Sequence, residues 1–281
     1  MKSKVAEALA MRHEPVSVLW TEEKPEGASM FRPGKWGCVM WMLAGASRGK
    51  PAVFDRESYG CWGGGVGLGF GNQYKVFPGG EACFHYFLSI GNRHWDQGRA
   101  LCEKMEASEG GSFVEDFRDG EGYLKDPHLV ERFIQDLPIM DIPSRYVVFQ
   151  PLKAVDATQN PPQVVVFWVE PHQLAALVVL TNYGREGNEN VIVPFAAGCQ
   201  SIGIYAYSEG QREKPRGVIG QMDLSARLHV CKTMGDHVFT FAAPWKLFLE
   251  LEENVSGSFA DRSVWSQLRD RLMVAKKNNA C

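Results

Sequence analysis

Apolar positions along the chain fall into short runs of two kinds. Pro15–Trp20 (PVSVLW), Pro51–Asp55 (PAVFD), Arg145–Gln150, Pro162–Trp168 (PQVVVFW) and Asn190–Phe195 (NVIVPF) are rich in β-branched residues and bounded by turn formers. That is the signature of buried strands. Helical spacing marks Lys2–Arg12, Trp36–Ser47, most of Glu81–Leu137 and Pro171–Gly184. The last of these opens on a proline and closes on a glycine, as helices do, and Asp126-Pro127 forms a cap and first-turn pair. Further on, Val218–Met222 and His237–Phe241 predict strands, while Asp223–Val230, Pro244–Glu253 and Arg262–Lys276 predict helices.

The second half repeats the plan of the first. A shift of 138 residues sets Gly49 on Gly187, Val53 on Val191, Gly60 on Gly198, Cys61 on Cys199 and Gly65 on Gly203. The opening strands need a larger shift, because the first half carries a longer loop. The expectation is a single α/β domain over residues 1–281, built from two pseudo-repeated βαβ-type units at about 15–75 and 162–222. They form a parallel or mixed sheet flanked by helices. A helical insertion occupies 79–137, and C-terminal helices occupy 244–276.

Composition narrows the function classes. Hydrophobic residues make up 45% and charged residues 22%, the balance of an ordinary globular chain. Lys+Arg 30 against Asp+Glu 33 gives a net charge of -3, so no overall field draws the protein to nucleic acid or an anionic membrane. The longest apolar stretches, Cys38–Ala46 and Val164–Val169, are far shorter than the roughly 20 residues of a membrane span. The start has no apolar signal-peptide core, so a cytoplasmic location is expected. Seven cysteines, an odd number, then point to reduced thiols rather than a disulfide framework. Eight tryptophans fit a large core or a homodimer surface equally well.

The usual motifs fail. The glycine run Gly60–Gly71 contains no G-x-G-x-x-G, and Gly45–Pro51 is too short for a phosphate-binding loop and has Pro51 where Ser or Thr is needed. There is no C-x-x-C, H-E-x-x-H or G-x-S-x-G. What remains is cysteine beside glycine at the ends of elements. Cys38 follows Gly37 at the start of a helix, and Cys61 and Cys199 each follow a glycine after a buried strand. Thiolates at helix starts are stabilised by unpaired N–H groups, and glycines let backbone donors approach sulfur. Both suit an iron–sulfur cluster. Hence the first expectation: a cytoplasmic protein binding a 4Fe-4S-type cluster through Cys38, Cys61 and Cys199, with Gly63, Gly64 and Gly65 lining it. It would serve a redox partner or a small molecule at an open position.

Under this expectation the sulfurs of Cys61 and Cys199 lie close, roughly 6 to 7 Å apart as on one cubane. Cys38 shares their side of the sheet. The plainer alternative is that free cysteines are small buried hydrophobes, which already accounts for Cys83 and Cys102 in helical segments. Two other functions stay open. One is a metal-free module whose Gly60–Gly71 loop cradles an anionic metabolite, with Lys50, Arg56 and Arg216 as counter-charges. The other is a thiol enzyme using Cys61 or Cys199, with His85 or His172 folded into place as base.

A resemblance to a known family rests on Gly37–Met40 (GCVM), AVFDRESYGCWGGGVGLGFGNQY, FPGG at Phe77–Gly80, FLSIGN at Phe87–Asn92, LPIMDIPSRYVVFQPL, AAGCQSI at Ala196–Ile202 and PRGVIGQMDLSAR at Pro215–Arg227. These stretches resemble domain of unknown function 169, the uncharacterised ArCR-like proteins of bacteria and archaea. The resemblance runs from about Pro15 to Phe259. It implies no activity, but it puts Cys38, Cys61 and Cys199 inside the motif stretches, with Cys83, Cys102 and Cys281 outside them and Cys231 between motifs.

Overall fold

Six consecutive buried residues, Val164–Val169, form the middle strand of a seven-stranded mixed sheet. β-Branched and aromatic side chains suit such a strand because both of its faces are covered. The computed structural model describes residues 1–108 and 112–278. Cys281 lies outside them. The chain packs as two compact units, Met1–Leu68 with Ile142–Cys281, and Gly69–Asp141.

The first unit runs α1 (Lys4–Ala8), β1 (Val16–Thr21), α2 (Val39–Ala46), β2 (Ala52–Phe54) and α3 (Trp62–Leu68). The second unit supplies α4 (Glu81–Phe87), α5 (Asp96–Ser108), α6 (Ser112–Asp119) and α7 (Pro127–Asp136). The first unit then resumes with β3 (Tyr146–Pro151), β4 (Val164–Val169), α8 (Pro171–Asn182) and β5 (Val191–Ile192). After these come α9 (Gly198–Gln200), a π-helical turn (Ser201–Tyr205) and α10 (Ala206–Gly210), and then β6 (Gly217–Gly220) and α11 (Leu224–Met234). β7 (Phe239–Pro244), α12 (Trp245–Asn254) and α13 (Ser263–Asn278) complete it.

The strand order is β2-β3-β1-β4-β7-β6-β5. β5 runs parallel to β6, and the other neighbouring pairs are antiparallel. Outward from the central β1–β4 pair, the order is β1-β3-β2 on one side and β4-β7-β6 on the other. Beyond β2, Ser29 bridges Ala52 in parallel, much as β5 lies beside β6. The 138-residue offset is not what this order reproduces. It matches β2 to β5, yet β2 pairs antiparallel with β3 whereas β5 pairs parallel with β6. In the sheet, the helix leading into β2 begins at Cys38, and the helical stretch leading into β6 begins at Gly198-Cys199.

Alternation along β4 assigns the two faces. Val165, Phe167 and Val169 pack with α1, α8 and α12 residues such as Leu177 and Phe248. The opposite face meets the π-helical turn, since a Cβ on Gly220 would lie 2.6 Å from the Cβ of Ser201. The second unit has an aromatic core in which Tyr74 stacks on Phe84 at 4.0 Å and Phe77 on Phe117 at 5.9 Å. Buried Asn92 ties its helices, donating to the carbonyls of Cys83 (3.1 Å) and Phe117 (3.0 Å).

Candidate functional site

The glycine run expected to be a loop is a helix from Trp62 to Leu68. Glycine is a poor helix former, so tertiary packing decides the outcome here. A Cβ on Gly67 would sit 2.6 Å from the carbonyl carbon of Cys199, and one on Gly203 would overlap the Gly67 carbonyl oxygen. Thus α3 crosses the α9 segment with backbone touching backbone, a contact only glycine permits. Gly60, at φ +83, makes the turn into α3.

This crossing brings two of the predicted thiols to one peptide group. Gly64 N–H donates to Cys61 Sγ at 3.2 Å, and Cys199 Sγ donates to the Gly63 carbonyl at 3.2 Å. In a trans peptide those two groups point in opposite directions. The two sulfurs therefore stand at opposite edges of one peptide group. Cys38 is the N-cap of α2, and the N–H groups of Met40 and Trp41 lie close enough to act on its thiol. All three cysteines stand at helix starts, where the positive end of the backbone dipole favours negative charge.

A fourth group, unpredicted, joins them. Asp223 caps α11 by accepting from Ala226 N–H at 2.6 Å, and its other oxygen accepts from Gly198 N–H at 2.5 Å. One carboxylate thus pins the starts of α9 and α11 together. Two residues earlier, Gln221 is fully buried with a left-handed backbone at φ 70. Neither its Nε2 nor its Oε1 has a hydrogen-bond partner among the described residues. Its Oε1 lies 3.0 Å from where a Gly198 Cβ would stand, and the Met40 Cγ lies 3.1 Å from the same point. The conformation costs a non-glycine residue on the order of 1 kcal/mol or more, and unpaired buried amide atoms cost about 1 to 3 kcal/mol. The sequence signal for Asp223 was its place at a helix start; nothing in the sequence singled out Gln221.

Burial dominates the electrostatics. It pushes the Cys61 thiol up to about 12, with the Gly64 N–H opposing. Cys199 is pushed well up by burial first, then by the charges of Cys61 and Asp223, and Cys38 is raised mainly by burial. At neutral pH all three are thiols. Among the described residues, the ionisable groups that act on their titration are one another and Asp223; no histidine is one of them. His85 sits beside Glu81 in the second unit, and His172 sits beside Glu170 at 3.6 Å.

The remaining sequence candidates have structural uses. Gly63, Gly64 and Gly65 lie in α3, where Gly64 and Gly65 N–H groups are already committed to Cys61 Sγ and Cys61 carbonyl. Arg56 donates to the carbonyls of Ile142 and Ser144, and Arg216 pairs with Glu209 at 2.6 Å. Lys50 is exposed. Cys83 and Cys102 are buried in α4 and α5 of the second unit. Cys231 Sγ donates to the Leu228 carbonyl within α11, beside a cavity of 280 Å³ also lined by Gln221, Leu224, Leu228 and Val238.

Among the described residues, no three His, Cys, Asp or Glu side chains stand as a ready group for a metal ion. A lone ion draws its ligands to within about 4 Å of one another, closer than the two thiols that flank a peptide. No helix among the described residues is long and apolar enough to cross a membrane.

The seven-stranded sheet and its flanking helices define a mixed α/β protein. The chain belongs to the DUF169 family, described as uncharacterised ArCR, whose model matches residues 4–254. No curated protein and no solved structure matches it.

Proposed function

We propose that the protein binds an iron–sulfur cluster of the 4Fe-4S type through Cys38, Cys61 and Cys199. The observation that carries this reading is that Cys61 and Cys199 meet one peptide group where α3 crosses α9, with Cys38 and Asp223 near enough to act on both thiols. The donor set is three sulfurs at three helix starts, with the Asp223 carboxylate as the further charge that acts on them. When bound, the cluster supplies one-electron chemistry and a Lewis-acidic iron at the position without a cysteine.

The chain's own residues hold and insulate. Helix-start N–H groups offset thiolate charge, Gly64 N–H stays on Cys61 Sγ, and Asp223 fixes the start of α9 so that Cys199 faces α3. Trp36, Phe195 and Leu224, close in sequence to Cys38, Cys199 and Asp223, are apolar and exposed. A redox partner or a small molecule is the expected visitor. A compartment that keeps thiols reduced, the cytoplasm, is part of the reading.

The test is iron and acid-labile sulfide analysis after anaerobic purification and reconstitution. Wild type and Cys83→Ala should carry both and show a broad visible absorption shoulder, and Cys61→Ser should lose it. A colourless, iron-free wild type after reconstitution overturns the reading.

A further inference from the structure

The geometry points to a second site, independent of the three cysteines: the cavity beside α11 binds a small apolar molecule carrying one carboxylate, with Arg227 as its counter-charge. Leu224 and Leu228 stand four residues apart along α11, as do Arg227 and Cys231, so one helix face forms a wall. Gly235, at φ +85, ends the helix and turns the chain back, and Val238 lines the cavity beyond that turn. A cavity of about 150 Å³ already takes a benzene ring. This one, at 280 Å³, has room for a ring with a short chain. Leu224 and Leu228 are each 70% exposed, apolar surface that a ligand would cover.

Charge selects the ligand. The Arg227 guanidinium is held in place, donating to the Asp236 carbonyl at 2.9 Å and lying 4.9 Å from the centre of the Phe239 ring. The Asp236 carboxylate meets His237 at 3.3 Å, and among the described residues no carboxylate forms an ion pair with Arg227. A fixed guanidinium with N–H donors to spare matches a carboxylate, which accepts two parallel hydrogen bonds from it. Gln221 is a second polar point on the lining. It is fully buried, and neither polar atom of its amide is bonded among the described residues. No hydrogen bond has to break for the side chain to turn to a ligand, and a ligand that meets it removes the cost of an unpaired amide. A residue that merely joined β6 to α11 would need no amide: glycine would adopt φ 70 without strain.

The test is calorimetric titration of the full-length protein with hydrocinnamate, a benzene ring on a short carboxylate chain, and with its neutral counterpart, hydrocinnamyl alcohol. The acid should bind saturably at one site, roughly tenfold more tightly than the alcohol, as a charge-assisted pair allows. Arg227→Gln should remove that preference, and Gln221→Leu should weaken both ligands about fivefold. Bound acid should also slow iodoacetamide labelling of Cys231, read by peptide mapping. No saturable binding of the acid, or equal affinity for acid and alcohol in wild type, overturns the proposal. Binding that leaves Cys231 labelling at its ligand-free rate puts the acid elsewhere and overturns it too. Wild-type affinities in Gln221→Leu overturn the role given to the amide. Iron-free protein that binds the acid in this way leaves the site standing even where the cluster reading falls.

Discussion

Cys61 and Cys199 hold opposite edges of the Gly63–Gly64 peptide, one accepting from its N–H and the other donating to its carbonyl, each at 3.2 Å. A disulfide needs sulfurs about 2 Å apart, and a rigid peptide plane stands between these two. Diamide treatment of the metal-free native protein should therefore give no Cys61–Cys199 linkage in peptide maps, whereas the urea-unfolded chain should give one. Rapid native cross-linking would show that the first turn of α3 opens easily.

Stability in alkali should report the desolvated thiol. The folded-state value for Cys61, about 12, lies above its ordinary 9.0. The unfolded chain therefore loses this proton first as pH rises, and the stability tied to the buried neutral thiol is complete below pH 9. It is lost between about 9 and 12. Going from pH 8 to pH 10, the advantage of wild type over Cys61→Ala in urea unfolding should shrink by about 1 kcal/mol. A constant difference would mean that Cys61 ionises normally.

Two glycine-to-alanine changes should part in sign. At Gly67 the new methyl meets Cys199 backbone at 2.6 Å and has nowhere to go, so Gly67→Ala should lose roughly 3 kcal/mol or more. At Gly45, inside α2, the nearest atom is the Lys50 carbonyl oxygen at 3.9 Å. Gly45→Ala should gain up to about 1 kcal/mol from helix propensity. Equal effects in denaturant titrations would contradict the backbone crossing.

Asp223 should matter twice. Asp223→Ala removes the cap of α11 and the bond to Gly198, and should cost about 1 to 3 kcal/mol. It should also speed iodoacetamide labelling of Cys199, which the pinned helix start now buries to 6% exposure. Asp223→Asn, which keeps an acceptor oxygen, should fall between. Unchanged Cys199 labelling in Asp223→Ala would separate the cap from the site.

Much of the architecture was legible because burial writes itself into residue type. Val164–Val169 could only be a covered strand, and Asp126 and Pro171 open α7 and α8 where their chemistry requires. The strand expected over Asn190–Phe195 shrank to Val191–Ile192, since Pro194 has no N–H to give a ladder. The glycines of α3 misled for a different reason: local propensity said loop, and a neighbour 136 residues away said helix. Strand partners were equally illegible, so Cys61 was matched to Cys199, whereas the sheet order matches Cys38 to it. Gln221 left no trace because an orphaned amide is a fact about surroundings, not about sequence.

The Gly67–Gly203 crossing also fixes when the thiol centre can exist. Its halves come from segments that the ribosome delivers far apart in time, with an entire helical unit made between them. Such non-local contacts form late, after the loop entropy they close has been overcome. Neither amino-terminal nor carboxy-terminal fragments can carry the centre, and a nascent chain exposes separate thiols until its second half is complete. Any cargo these sulfurs accept is loaded onto a finished protein.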